Sequence, residues 1–137
     1  MEEVVRARGH EHVAATHGST FEVTTDDWLT PAGDCIVGIE ADRAPADFDD
    51  AFVDACRDPG ATITLTLDVG GRTRAVRARG HPDLTFESDR SAVVRTSTYV
   101  DDRTVAVGAD AAAADLDRSL VSALADGAAL TLTLAVD

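Results

Sequence analysis

The chain has 137 residues, 45% of them hydrophobic and only 4% aromatic, with a formal net charge of −13. That length suits one domain, or two fused halves sharing a core built from Val, Leu, Ile and Ala, folding without a disulfide or a metal. Two cysteines, Cys35 and Cys56, are too few and too irregularly placed for a disulfide framework or a zinc site, and no apolar run is long enough to span a bilayer.

The segments from Glu3 to His10, Ser19 to Thr25 and Cys35 to Ala41 are rich in β-branched residues and predict strands. Phe48, Phe52 and Ala55 then fall at helical spacing, with Asp47 placed to cap a short helix and Pro59-Gly60 to end it. From Ala61 to Leu67 the sequence alternates strictly, so Ile63, Leu65 and Leu67 face a core while the threonines face out. Next, Arg6-Ala7-Arg8-Gly9-His10 returns unchanged as Arg77-Ala78-Arg79-Gly80-His81, an offset of 71. At that offset Thr20 meets Ser91, Val23 meets Val94, Thr25 meets Thr96 and Trp28 meets Tyr99. After a three-residue shortening the offset is 68, where Asp34 meets Asp102, Val37 meets Val105 and Ala41-Asp42 meets Ala109-Asp110. In the second copy Asp115 stands as the helix cap, Leu116, Leu120 and Leu124 share a face, and Gly127 follows the end.

The chain therefore reads as a single domain, 1–137, made of two repeats over about 2–70 and 73–137. Each repeat runs strand, strand, strand, helix, strand. A half of that composition cannot bury both of its faces. Two halves related by an approximate two-fold axis are expected to close into a β-sandwich or barrel-like, mainly β fold with two short helices.

All 12 basic residues are arginine, and the chain contains no Lys, Asn or Gln. Of the 25 acidic residues, 19 are Asp. Short carboxylates hold water tightly, and arginine is less strongly hydrated than lysine. This is the composition of a protein adapted to molar salt, where the Debye length is about 3 Å and self-repulsion is screened. In that setting the acidity is a solubility device and does not exclude an anionic partner. Met1-Glu2-Glu3-Val4-Val5 lacks the basic-then-apolar pattern of a signal peptide, so a cytoplasmic protein is expected.

Several of these segments occur together in a known family. Arg-Ala-Arg-Gly-His, Ala15-Thr16-His17 followed by Thr20 and Glu22, and Leu29-Thr30-Pro31-Ala32-Gly33-Asp34-Cys35-Ile36-Val37-Gly38 resemble the archaeal domain of unknown function 371. Arg79-Gly80-His81-Pro82 and Asp102-Arg103-Thr104-Val105 fit it as well, so the resemblance spans the whole chain. It implies an archaeal origin and a β-sandwich-like fold, and it implies no activity.

The twin Arg-x-Arg-Gly-His segments are the leading candidate site. On a strand, Arg6, Arg8 and His10 point to one face, as do Arg77, Arg79 and His81. Were the two-fold axis to bring these strands together, four guanidiniums and two imidazoles would bind an anionic ligand: a nucleotide, a phosphorylated metabolite or an RNA backbone. The alternative is structural, with these arginines paired to Asp34, Asp42, Asp102 and Asp110.

Differences between the copies suggest a second class of function. His17 corresponds to Ser88, His12 to Asp83 and Cys35 to Arg103. His10, His17 and Cys35 could serve a small enzyme, and His10, His12 and His17 a metal site. The bland readings are a buried, inert Cys35, a core Cys56 and surface histidines. No nucleophile elbow, phosphate-binding glycine loop or aromatic stacking platform is present. The chain reads foremost as a non-catalytic binding module with no cofactor and no membrane association.

Overall fold

A computed structural model of the chain describes all of residues 1–137. The Thr/Leu alternations become strands β4 (Thr62–Val69) and β8 (Ala129–Val136), with Ile63, Leu65, Leu67, Leu130, Leu132 and Leu134 buried and the threonines half-exposed. The repeated motifs become β1 (Glu2–Arg8) and β5 (Arg72–Arg79). Shorter strands follow each: β2 (Thr20–Thr24), β3 (Ile36–Gly38), β6 (Ser91–Arg95) and β7 (Thr104–Ala106). Two helices, α1 (Asp50–Cys56) and α2 (Arg118–Ala125), complete the expected inventory. No helix is long and apolar enough to cross a membrane.

The strands form two four-stranded sheets, one in the order β1-β8-β4-β5 and the other β3-β2-β6-β7. Exchanging the halves (β1 with β5, β2 with β6, β3 with β7, β4 with β8) reproduces both orders, so the expected pseudo-two-fold is present. Its consequence for pairing is that the halves trade strands. β1 pairs antiparallel with β8 of the other half, and β5 pairs with β4. The β4–β5 hairpin turns through Gly70 and Gly71, both with positive φ, which glycine adopts without steric cost.

Both helices drop their apolar faces into the core between the sheets: Phe52 and Cys56 from α1, Leu120, Val121 and Leu124 from α2. Burying one such large side chain contributes about 1.5–3 kcal/mol. Phe86 of the second half meets Phe48 and Phe52 of the first, with ring centroids 6.0 and 6.3 Å away.

Two local expectations are corrected. Asp47 and Asp115 do not cap the α-helices. Each ends a 3-10 turn (Pro45–Asp47, Ala113–Asp115) and accepts the N–H of the residue before it, Ala44 at 2.9 Å and Ala112 at 2.8 Å. The N-cap positions of the α-helices lie two residues further on, at Asp49 and Asp117, and of these only Asp117 accepts a helix N–H, from Ser119 at 3.2 Å. The segment from Cys35 to Ala41 is strand for only three residues, because Glu40 turns into the left-handed region at φ 53°.

Candidate functional site

In both copies the backbone of Arg-x-Arg does the pairing. Arg8 and Ile39 exchange N–H···O=C bonds at 3.0 and 2.8 Å, and Arg79 and Val107 do so at 2.7 and 3.0 Å. Asp42 Oδ1 accepts the Arg6 N–H at 2.9 Å, while Asp42 donates its own N–H to the Arg6 carbonyl at 2.9 Å. Asp110 repeats this with Arg77 at 3.0 and 2.9 Å. A carboxylate thereby stands in for a neighbouring strand on each sheet edge. Gly9 and Gly80 complete the motif. A Cβ at Gly9 would overlap the Leu124 carbonyl of α2, and one at Gly80 would overlap the Cys56 and Asp58 carbonyls at the end of α1. In each case strand and helix come from opposite halves.

The expected convergence of four guanidiniums does not occur. β1 and β5 are the two edges of one sheet, with β8 and β4 between them, so they lie about 14 Å apart across the sheet. Arg6 is level with Thr73 through Thr131 and Asp68, and Arg77 sits four residues further along, about 13 Å. The two arginine pairs occupy diagonal corners of the solvent face. Nor do Asp34 and Asp102 pair with them, and Asp42 and Asp110 bind their backbones, not their guanidiniums.

The corners also differ in charge. Arg8 pairs with Glu40, whose carboxyl is held below its ordinary range by that guanidinium. At Glu40's position the second copy has Gly108, with the same left-handed φ. There the Arg79 guanidinium lies against the glycine, its Nη2 2.7 Å from where a Cβ would stand. Arg77 and Arg79 make no ion pair.

Three of the four histidines use Nδ1 to accept backbone N–H groups. His10 accepts from His12, and His81 from Asp83, each at 3.0 Å. His17 accepts from Ser19 and Thr20 at 3.2 Å. In the second copy Ser88 Oγ performs the same task for Arg90 and Ser91 at 3.2 and 3.1 Å, so imidazole and hydroxyl are interchangeable turn acceptors here. The His10 and His12 rings are neighbours, with centroids 5.2 Å apart. No group of three or more His, Cys, Asp or Glu side chains is arranged to hold a metal ion, so His10, His12 and His17 do not gather into one centre.

Cys35 is half-buried, and its Sγ donates to Glu22 Oε1 at 3.7 Å. Burial pushes its thiol up, and the Glu22 charge adds to the shift. A thiol nucleophile needs the opposite shift. Arg103, at the matching position of the second copy, approaches the same Glu22 oxygen at 3.7 Å. Cys56 is fully buried, and burial alone pushes its thiol up to about 12. Neither thiol is therefore expected to alkylate readily near pH 8 in the native protein. The unfolded chain releases the Cys56 proton at about 9.0, so stability is fully present below that pH and is lost as pH rises toward about 12. Fast iodoacetamide labelling without denaturant would contradict this.

A family model described as a domain of unknown function, DUF371, matches residues 5–137. The chain belongs to the DUF371 family. An uncharacterized protein of Methanocaldococcus jannaschii is 36% identical over 136 residues, which cover 99% of this chain and all of that protein.

The fold of this DUF371 chain also uses residues whose spacing gave no sign of a role. Arg43 pairs with the buried Glu3 at 2.7 Å and donates to the Asp47 carbonyl at 3.1 Å. In the second copy Arg74, at Glu3's position, reaches the matching Asp115 carbonyl at 3.1 Å. Arg118 lodges its guanidinium among five backbone carbonyls: Leu116 at 3.0 Å, Ala113 at 3.0 Å, Ala15 at 3.1 Å, Ala14 at 3.2 Å and Ala114 at 3.4 Å. The one trace of this in the sequence is a charge reversal between the copies, since Asp50 occupies the matching position.

Proposed function

We propose that this DUF371 chain is a non-catalytic, cytoplasmic binding module adapted to high salt, and that it holds phosphate-bearing ligands through Arg77 and Arg79 on one edge of the sheet. The carrying observation is the asymmetry of the two corners. Glu40 neutralises Arg8, while Gly108 leaves Arg79 without a carboxylate. Arg77 and Arg79 stand on alternate positions of β5, with Thr64 and Thr62 directly across on β4. Two arginines on alternate positions of one strand, with two threonines opposite them in register, supply the donors that phosphate oxygens accept from. The ligand is a nucleotide, a phosphorylated metabolite or an RNA backbone.

The test is a titration with pyrophosphate, ATP and a short single-stranded RNA, at one fixed salt concentration, using Arg77→Ser and Arg79→Ser. Each loss of a charge-assisted hydrogen bond is expected to weaken binding about tenfold. Arg6→Ser and Arg8→Ser should leave affinity within about twofold. Equal effects from both corners, or no saturable binding of any of the three probes, would defeat the proposal.

A further inference from the structure

The two-fold relates the groove that Arg118 fills to a groove in the other half that no side chain fills. Arg118 donates to the carbonyls of Ala14, Ala15, Ala113, Ala114 and Leu116. At the repeat offsets of 71 and 68 their counterparts are Thr85, Phe86, Pro45, Ala46 and Phe48. All five counterparts line one cavity of about 330 Å³. The cavity wall also carries Asp50, which replaces Arg118, and Asp54.

The backbone frames match closely. Ala114 donates its N–H to the His17 carbonyl at 3.0 Å, and Ala46 donates to the Ser88 carbonyl at 2.9 Å. The 3-10 turns coincide, and Ala15 and Phe86 are both left-handed, at φ 48° and 53°. What differs is satisfaction of the polar atoms. The Ala46, Phe48, Thr85 and Phe86 carbonyls accept no hydrogen bond from the rest of the chain. Thr85 Oγ1, on a residue lining this cavity, is the one buried side-chain polar atom without a partner. Arg57 also lines the cavity, but its Nε is committed to the Leu84 carbonyl at 2.8 Å and its Nη1 lies 3.5 Å from Asp54.

We infer that this cavity is a binding site for a guanidinium group brought by another molecule, which takes the place that Arg118 holds in the other half. Asp50 supplies the counter-charge. The planar guanidinium offers five donors in a fixed fork and has no acceptor, as a cage of carbonyls requires. An ammonium, with three donors on a point charge, matches the cage less well. The site does not involve Arg77 or Arg79, so its fate is separate from that of the phosphate surface.

The test is an amide NMR titration of the intact chain with agmatine, with butylamine as the ammonium control, and with an Arg-centred tripeptide. Saturable shifts at Ala46, Thr85 and Phe86 are expected with agmatine, with butylamine at least about tenfold weaker. Stronger binding of the tripeptide than of agmatine would assign the group to a protein partner, and the reverse order to a small molecule. Asp50→Arg should fill the groove from within and abolish these shifts. Asp50→Asn should weaken binding about tenfold. Should Asp50→Arg fail to fold, Val53→Phe, which narrows the same cavity, must block binding instead. In Arg118→Ala the second cage opens, and agmatine should raise the lowered melting temperature. Non-saturating shifts, equal binding of butylamine, or binding unaffected by filling the groove would overturn the inference.

Discussion

Alanine in place of Gly9 or Gly80 should cost the fold about 3 kcal/mol or more, roughly 10 °C in melting temperature for a chain of this size, while alanine at Gly18 costs almost nothing. The added Cβ would meet backbone, not a flexible side chain: the Leu124 carbonyl for residue 9, and the Cys56 and Asp58 carbonyls for residue 80. Neither strand can withdraw to make room. Gly9 N–H donates to the Ala128 carbonyl at 2.8 Å, Gly80 N–H to the Ala61 carbonyl at 3.1 Å, and His81 N–H to the Cys56 carbonyl itself at 3.1 Å. Nothing lies within 4 Å of a Cβ at Gly18, which makes it the internal control. Thermal melts of the three variants decide the matter. If all three melt alike, the strand and helix ends do not press on each other as the structure has them.

Salt should move stability by a comparable amount. With a net charge of −13, carboxylates repel one another over about 30 Å at 0.01 M salt and only about 3 Å at 1 M. The ion pairs seen, such as Arg90 with Asp26 and Arg8 with Glu40, engage a minority of the 25 acidic residues and leave most of the repulsion uncancelled. Typical domain stability is only about 5–15 kcal/mol, so that repulsion is enough to matter. Circular dichroism is expected to show loss of structure below about 0.1 M salt and its return at molar salt. A melt identical in dilute and molar salt would remove the case for salt adaptation and return the acidity to its ordinary meaning.

How far the residues alone disclose this fold differs by element. β4 and β8 are plain because their alternation leaves one face no option but the core, and the second Arg-Ala-Arg-Gly-His announces the duplication. Strand neighbours are another matter. Alternation says which face of β1 is buried, but not that β8 lies beside it and β5 three strands away, so the four arginines could not be placed. Asp47 and Asp49 are the same residue type two positions apart, and only the 3-10 turn shows that Asp47 closes that turn while Asp49 precedes the helix. His17 stands out in the sequence as a chemically special residue, yet Ser88 closes the same turn in the second copy. The carbonyl cage was the least visible feature, since every residue has a carbonyl. Only the exchange of Asp50 for Arg118 between the copies marks it.

The traded strands also bear on ancestry. A single-copy ancestor of this fold would have had no complete sheet of its own, because its first strand finds its neighbour only in a second copy. It could have persisted only as an obligate homodimer. In such a dimer every position exists twice, so both grooves would have been filled or both left open. Within one continuous chain that constraint does not hold. In a single chain the two positions are free to differ, and here they do: Arg118 spans one carbonyl cage, while Asp50 stands on the wall of the other.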